Sequence, residues 1–322
     1  MSRKRITNDN ADLDPVTSFE GPALEFDWPA LRIGVAEYEE APTGCTVFHF
    51  PDGVTTAVDR RGGAVSAAEW DYGWHHAVCF AGGSAFGLEV VSGVRAEIFA
   101  SQDYAVSWRK IPLVTGAIIW DWSGRRNAIY PDKALGRAAL KTAKAGRFLL
   151  GPRGAGRSAT VGKWLKAPYT REASGQGGAF LQSGPTKIAV FTVVNALGAI
   201  VNRQGEVVRG HLNTKTGSRD RVEDVVPLDD TRNAPESASK GNTTLTLVAT
   251  NQKLDHHALE QLSRHVHSSM ARAIYPFHTT DDGDILFAAS TNEVENPDLN
   301  HFVLSHLASE LAWEAVLSSV VD

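Results

Sequence analysis

Residues Lys187–Val201 form a nearly continuous apolar run rich in Val and Ile. From Ile188 to Val201 it is 14 residues long and includes Asn195 and Gly198. A helix crossing a bilayer needs about 18–20 apolar residues, so this run cannot span one. It is also long for one strand, and Asn195 and Gly198 look like an interruption. The run predicts two strands, or one bent strand.

The second constraint is a change of composition. Asn213–Lys240 has few large apolar residues and many charges, Pro, Ser and Asn. It reads as a long exposed loop, and loops of that length are either functional or disordered. It stops at Gly241-Asn242. An alternating strand, Thr243–Thr250, begins at once.

Around these lie further elements. Leu31–Tyr38, Thr43–Phe50 and Val54–Asp59 read as short strands separated by Pro/Gly turns. Gly82-Gly83-Ser84 opens a helix to about Ala100. Val114–Trp122 reads as a strand, and Asp132–Ala145 as a helix. A helix capped by Asp255 carries Leu259, Leu262, Val266 and Met270 on one stripe. A turn at Asp281–Asp284 leads into the strand Ile285–Ala289. The last helix carries Leu304, Leu307, Leu311 and Ala315. Residues 1–30 are polar and Pro/Asp-rich and read as a loose arm before a structured body over 31–322.

Composition narrows the function classes. The 322 residues hold 32 Lys+Arg against 37 Asp+Glu, a formal charge of −5. That argues against nucleic acid or an anionic membrane as partner. Two cysteines, Cys45 and Cys79, exclude a disulfide framework and a Cys-rich zinc site. The basic start lacks the apolar segment of a secretory signal, so the expected compartment is the cytoplasm.

Several motifs fail on inspection. Gly82-Gly83-Ser84-Ala85-Phe86-Gly87 is not GxGxxG, because Ser84 stands at the third position. Gly154–Lys163 misses a phosphate loop twice, with Arg157 in place of Gly and Trp164 in place of Ser or Thr. It still presents Lys163 after a flexible loop. His265 and His267 lie two apart on a helix and point about 200° apart, so no metal is expected. No cofactor is implied. Three carboxylates in Asp281–Asp284 abut an apolar strand, which is costly unless they are paired, and Lys163 is one candidate partner. There is no GxSxG elbow.

The junction 241–243 is the most informative. Asn242-Thr243 places a hydroxyl beside a carbonyl, at the end of an accessible loop and the start of a patterned strand. That pair has the chemistry for an N→O acyl shift, and an N-terminal threonine is a known nucleophile. A plain turn fits the same stretch, Gly241-Asn242-Thr243-Thr244.

Many ordered motifs add to this reading. They include EEAPTGCTVFH, VDRRGGAV, AGGSAFGLE, YPDKALGRAAL, GAGRSATVGK, SGQGGAF, GNTT, HVHSSMARAIYPFHTTDDGDILFA and ELAWEAVL. From about Phe26 onward the chain resembles the 6-aminohexanoate-oligomer (nylon) hydrolases. These sit within the wider self-cleaving group that includes the L-aminopeptidase/D-esterase and β-peptidyl aminopeptidases.

The resemblance implies an α/β (α+β) fold, the four-layer αββα sandwich of the N-terminal-nucleophile type. It implies self-cleavage between Asn242 and Thr243 into 1–242 and 243–322. Thr243 is then the nucleophile and its new α-amine the base. Lys163 matches the active-site lysine, Asn195 the oxyanion-side asparagine, and Asp282 and Asp284 the paired carboxylates. Trp120 stands where closely similar hydrolases carry tyrosine, which removes an acceptor and an acidic phenol. The expected substrates are linear oligoamides such as 6-aminohexanoate oligomers. Short peptides or amino-acid amides are the alternative, and an ornithine-acetyltransferase-like acyl transfer is a third. A homo-oligomer, a tetramer, is expected.

Overall fold

A computed structural model describes residues 5–68, 72–123, 125–226 and 241–321. Its main elements, in chain order, are β1 (Arg32–Tyr38), β2 (Thr43–Arg60), β3 (Trp74–Ala81), α1 (Glu89–Ser101), β4 (Val114–Ile118) and α2 (Lys133–Lys141). Then follow β5 (Gln176–Ser183), β6 (Thr186–Asn195), β7 (Thr243–Gln252), α3 (His256–Ser269), β8 (Ile285–Val294) and α4 (His301–Leu317).

The strands run in the order β5-β6-β7-β8-β2-β3-β4, with β1 also on β2. Pairs β7/β8 and β3/β4 are parallel and the others antiparallel. Strand β2 belongs to two layers. Its first half, Thr43–His49, pairs with β1 and β3, and its second half, Thr55–Arg60, pairs with β8. The sequence reads this stretch as two strands broken by Pro51 and Gly53. The chain absorbs that break as a register shift between His49 and Val54 within one strand.

Three separate apolar cores define four layers. The middle core joins Phe48, Phe80 and Ile33 on one sheet layer to Phe191, Leu247 and Phe287 on the other. A second core packs Val190, Val248 and Leu286 under Leu259 and Val266 of α3 and Leu304 and Ala312 of α4. A third packs Val47 and Cys79 under Val90 and Val94 of α1 and Leu135 and Ala139 of α2. The order is α3/α4, sheet, sheet, α1/α2, the expected αββα sandwich. Strand β7 shows why its sequence alternates: Leu245, Leu247 and Ala249 enter the middle core, while Val248 faces the helices.

The apolar run breaks where its composition suggests. Strand β6 ends at Asn195, and a short strand, Ala199–Val201, resumes after Gly198. Side-chain caps at Asp132, Asp255 and Asn300 start α2, α3 and α4.

The N-terminal stretch is less loose than its composition suggests. Ala23–Glu25 pairs with Arg147–Leu149, and Phe26 and Trp28 are buried in the middle core. Val16 bridges Glu37. Two large apolar residues, Phe26 and Trp28, outweigh the polar majority, because they enter the core between the sheets. The polar stretch 213–240 is likewise not all loop. Leu212–Asn213 pairs with Tyr169–Thr170, and Val222–Val225 is a short helix. Residues 227–240 lie outside the described residues. Among the described residues no helix is long and apolar enough to cross a membrane.

Candidate active site

Thr243 is the first residue of β7, and Asn195, the last of β6, is its antiparallel partner. Both are buried. Two adjacent paired strand ends of the central sheet therefore fix the backbone of both residues. Asn242 bridges Asp282 in parallel, which draws the acidic turn onto the same spot. The hydroxyl of Thr243 donates to the carbonyl oxygen of Asn242. The Gly283 N–H donates to that oxygen from the other side, at 2.9 Å.

Lys163 reaches in from the Gly-rich loop. Its Nζ donates to Asn195 O, Asn195 Oδ1 and Gly241 O, each at 2.9 Å. Asn195 Oδ1 also accepts from Thr160 N at 3.1 Å. The Asn195 amide donates to Trp120 O and Gly241 O, both at 3.1 Å. Lys163 and Asn195 thus aim two donors at one carbonyl, that of Gly241. Gly162 makes this approach possible: its φ is +75°, and a Cβ there would lie 2.1 Å from His211 N. Loss of hydration brings the Lys163 pKa down to about 7, the field of Asp282 opposes this, and the Arg171 charge adds to it.

The carboxylates act by distinct contacts. Asp282 Oδ2 accepts from Thr279 N and Oγ1, at 3.1 and 2.6 Å, and Oδ1 accepts from Leu197 N at 3.3 Å. Burial, and the neighbouring Asp284 charge, hold it up at about 6. Asp284 Oδ1 accepts from Thr244 N at 2.7 Å, so it grips the residue next to Thr243. Its other oxygen contacts His278 N at 3.2 Å and His278 Nδ1 at 3.0 Å. Lys163 therefore meets Asp282 through its field, and its hydrogen bonds go elsewhere.

All six residues singled out from sequence, together with Trp120, lie at this junction. Trp120 contributes differently from expectation. Its main-chain carbonyl holds Asn195, whereas its indole N–H has no partner among the described residues.

Sequence reasoning missed a supporting layer. Asp121 Oδ1 accepts from Gly83 N and Ser84 N, at 2.8 and 3.1 Å. The glycine turn that fails the GxGxxG pattern is thus filled by the protein's own carboxylate. Asp121 also pairs with Arg125 at 2.6 Å and accepts from Ser158. Arg157, where a phosphate loop would need Gly, pairs with buried Glu37. His278 was also missed; its spacing of six residues from Asp284 was the one available signal. His267, which fails as a metal ligand, contacts Asp59 at 2.9 Å. No group of three metal-ligating side chains occurs among the described residues.

These contacts surround a cleft of about 440 Å³, lined by Trp120, Thr160, Lys163, Arg171, Asn195 and Gly241 among others. Comparison with known proteins places the chain. Residues 26–322 match Peptidase family S58. The chain belongs to that family. A 6-aminohexanoate-oligomer endohydrolase of Agromyces sp. (strain KY5R) is 43% identical over 329 residues, covering 97% of this chain and 90% of its own. Two solved structures share the fold. A Burkholderia sp. β-aminopeptidase superposes with a TM-score of 0.62 at 16% identity, covering 93% of this chain and 88% of its own. The L-aminopeptidase D-Ala-esterase/amidase of Ochrobactrum anthropi, described as a variant of the Ntn hydrolase fold, gives 0.61 at 16%, covering 94% and 88%. The S58 chain is therefore an amide-bond hydrolase with this fold.

Proposed function

We propose that this S58 hydrolase cuts its own chain between Asn242 and Thr243 and then hydrolyses linear oligoamides, 6-aminohexanoate oligomers among them. The observation that carries the reading is the junction itself. The Thr243 hydroxyl rests on the Asn242 carbonyl, whose oxygen also receives the Gly283 N–H.

In the first reaction Thr243 Oγ attacks the Asn242 carbonyl carbon, and its proton passes to the departing Thr243 nitrogen. Gly283 N–H stabilises the oxyanion. The C–N bond breaks, an ester forms and the Thr243 α-amine is freed. Water then hydrolyses the ester. Residues 1–242 and 243–322 stay together as one catalytic domain, because β7 is sandwiched between β6 and β8 and β8 pairs with β2. Residues 5–30 pack against that domain, with Phe26 and Trp28 in its middle core.

In the second reaction the α-amine takes the Thr243 hydroxyl proton while Oγ attacks the substrate carbonyl. Lys163 and Asn195 donate to the developing oxyanion. Asp284 holds β7 through Thr244 N, and Asp282 offsets the Lys163 charge. The amine product leaves with the proton, and water releases the acid. Trp120 anchors Asn195 and walls the cleft.

The substrate assignment follows the Agromyces relative. The reading extends to a homotetramer in the cytoplasm, and an exposed apolar patch at Val106, Trp108 and Ile111 supports association between copies. Linear oligomers of 6-aminohexanoate blocked at the amine end test the substrate class. Internal cleavage supports it. Release of N-terminal residues from short peptides alone, with the blocked oligomers untouched, contradicts it in favour of an aminopeptidase.

A further inference from the structure

The cleft carries charge that the reaction does not use. Two of its lining ions cancel: Asp121 and Arg125 pair at 2.6 Å, with side chains only 2% and 4% exposed. Arg126 and Arg171 remain. Both are exposed, both line the cleft, and neither has an acidic partner among the described residues. Glu40 is the one exposed anion on the wall. Apart from the catalytic Lys163, these two cations face one unpaired anion, on a chain whose formal net charge is −5. A cationic cleft on an acidic protein is not a by-product of overall charge, and it selects for an anionic group on the ligand.

Arg171 is placed to make that selection. It sits near enough to Lys163 for its charge to disfavour the ammonium. It comes from the residue before Glu172, whose pairing with Val161 ties this stretch to the loop that carries Lys163. A guanidinium presents a planar fork that matches a carboxylate in bidentate fashion.

We propose that Arg171, assisted by Arg126, recognises the free carboxylate end of the substrate. Thr243 then attacks an amide further along the same chain. The preferred class is therefore linear oligoamides ending in a carboxylate, ahead of cyclic, amidated or purely cationic amides. This rests on the reading that Thr243 opens into this cleft as the nucleophile.

The test compares two probes, the linear 6-aminohexanoate trimer with a free carboxylate and the same trimer with a C-terminal primary amide. The wild-type enzyme is expected to favour the acid in kcat/KM by about ten- to hundredfold, the scale of one hydrogen-bonded charge. In Arg171→Gln the ratio falls toward one, chiefly through the KM of the acid. Arg126→Gln lowers it by less. A wild-type ratio near one overturns the proposal while leaving Thr243 chemistry intact. So does an equal loss on both probes in Arg171→Gln. Failure of the wild-type enzyme to cleave either probe overturns the proposal and the oligoamide reading together.

Discussion

The Lys163 ammonium donates to the carbonyl oxygen of Gly241 at 2.9 Å, two residues before Thr243. Asn195 donates to the same oxygen at 3.1 Å. The pair assigned to a substrate oxyanion is therefore taken up by the enzyme's own chain while the junction is unbroken. A short peptide ending in Gly-Asn should compete with substrate on the processed enzyme. Steady-state kinetics should show a raised KM and an unchanged kcat. No inhibition at millimolar peptide contradicts this.

The same lysine sets a pH dependence. Its three acceptors suit an ammonium with three donors, and its pKa lies at about 7. Below that value the full donor set is present; above it one donor and the charge are lost. The α-amine of processed Thr243 works in the opposite sense, since it acts as a base only when neutral. A bell-shaped kcat/KM profile follows, with its alkaline limb owed to Lys163. In Lys163→Arg that limb should move up, because a guanidinium keeps its proton. An alkaline limb unmoved in this variant contradicts the assignment.

Gly283 leaves the nucleophile its space. A Cβ there would lie 2.8 Å from Thr243 Oγ1 and 2.9 Å from the Ala64 carbonyl oxygen. Gly283→Ala must therefore displace the hydroxyl or the turn. We expect processing to slow by about a hundredfold, the effect of an ångström-scale misplacement. Fragment appearance on denaturing gels measures it, and an unchanged rate contradicts the placement.

Asp284 is fully buried and accepts from Thr244 N, His278 N and His278 Nδ1. Asp284→Ala strands these donors beside the nucleophile. It should cost about 3–5 kcal/mol of stability, as for other broken buried pairs, and slow processing as well. Denaturant unfolding of the unprocessed chain measures the first, and a loss below about 1 kcal/mol argues against a buried network.

The periodic elements were legible in the sequence. Asp132 and Asp255 announce α2 and α3, and the alternation at Thr243–Thr250 marks a strand, which the structure buries on both faces. The junction at Thr243 stood out because a polar stretch ends against that strand. Long-range partners were not legible. The pairing of Asp121 with the Gly83 turn spans 38 residues, and that of Asp59 with His267 spans 208. No local pattern encodes either. Strand β2 hides its unity because Pro51 and Gly53 normally end strands, and here they sit at a bulge between two layers. Phe26 and Trp28 look like isolated apolar residues in a polar arm until the open end of the middle core is known. Trp120 misled because its side chain draws the eye, whereas its carbonyl holds Asn195.

The central claim is that Thr243 becomes a nucleophile by breaking its own bond to Asn242. Denaturing mass spectrometry of the purified protein tests it most directly. The account predicts two species, residues 1–242 and 243–322, and a single intact 322-residue chain in Thr243→Ala. An intact wild-type chain after prolonged incubation, or fragments that persist in Thr243→Ala, would contradict it.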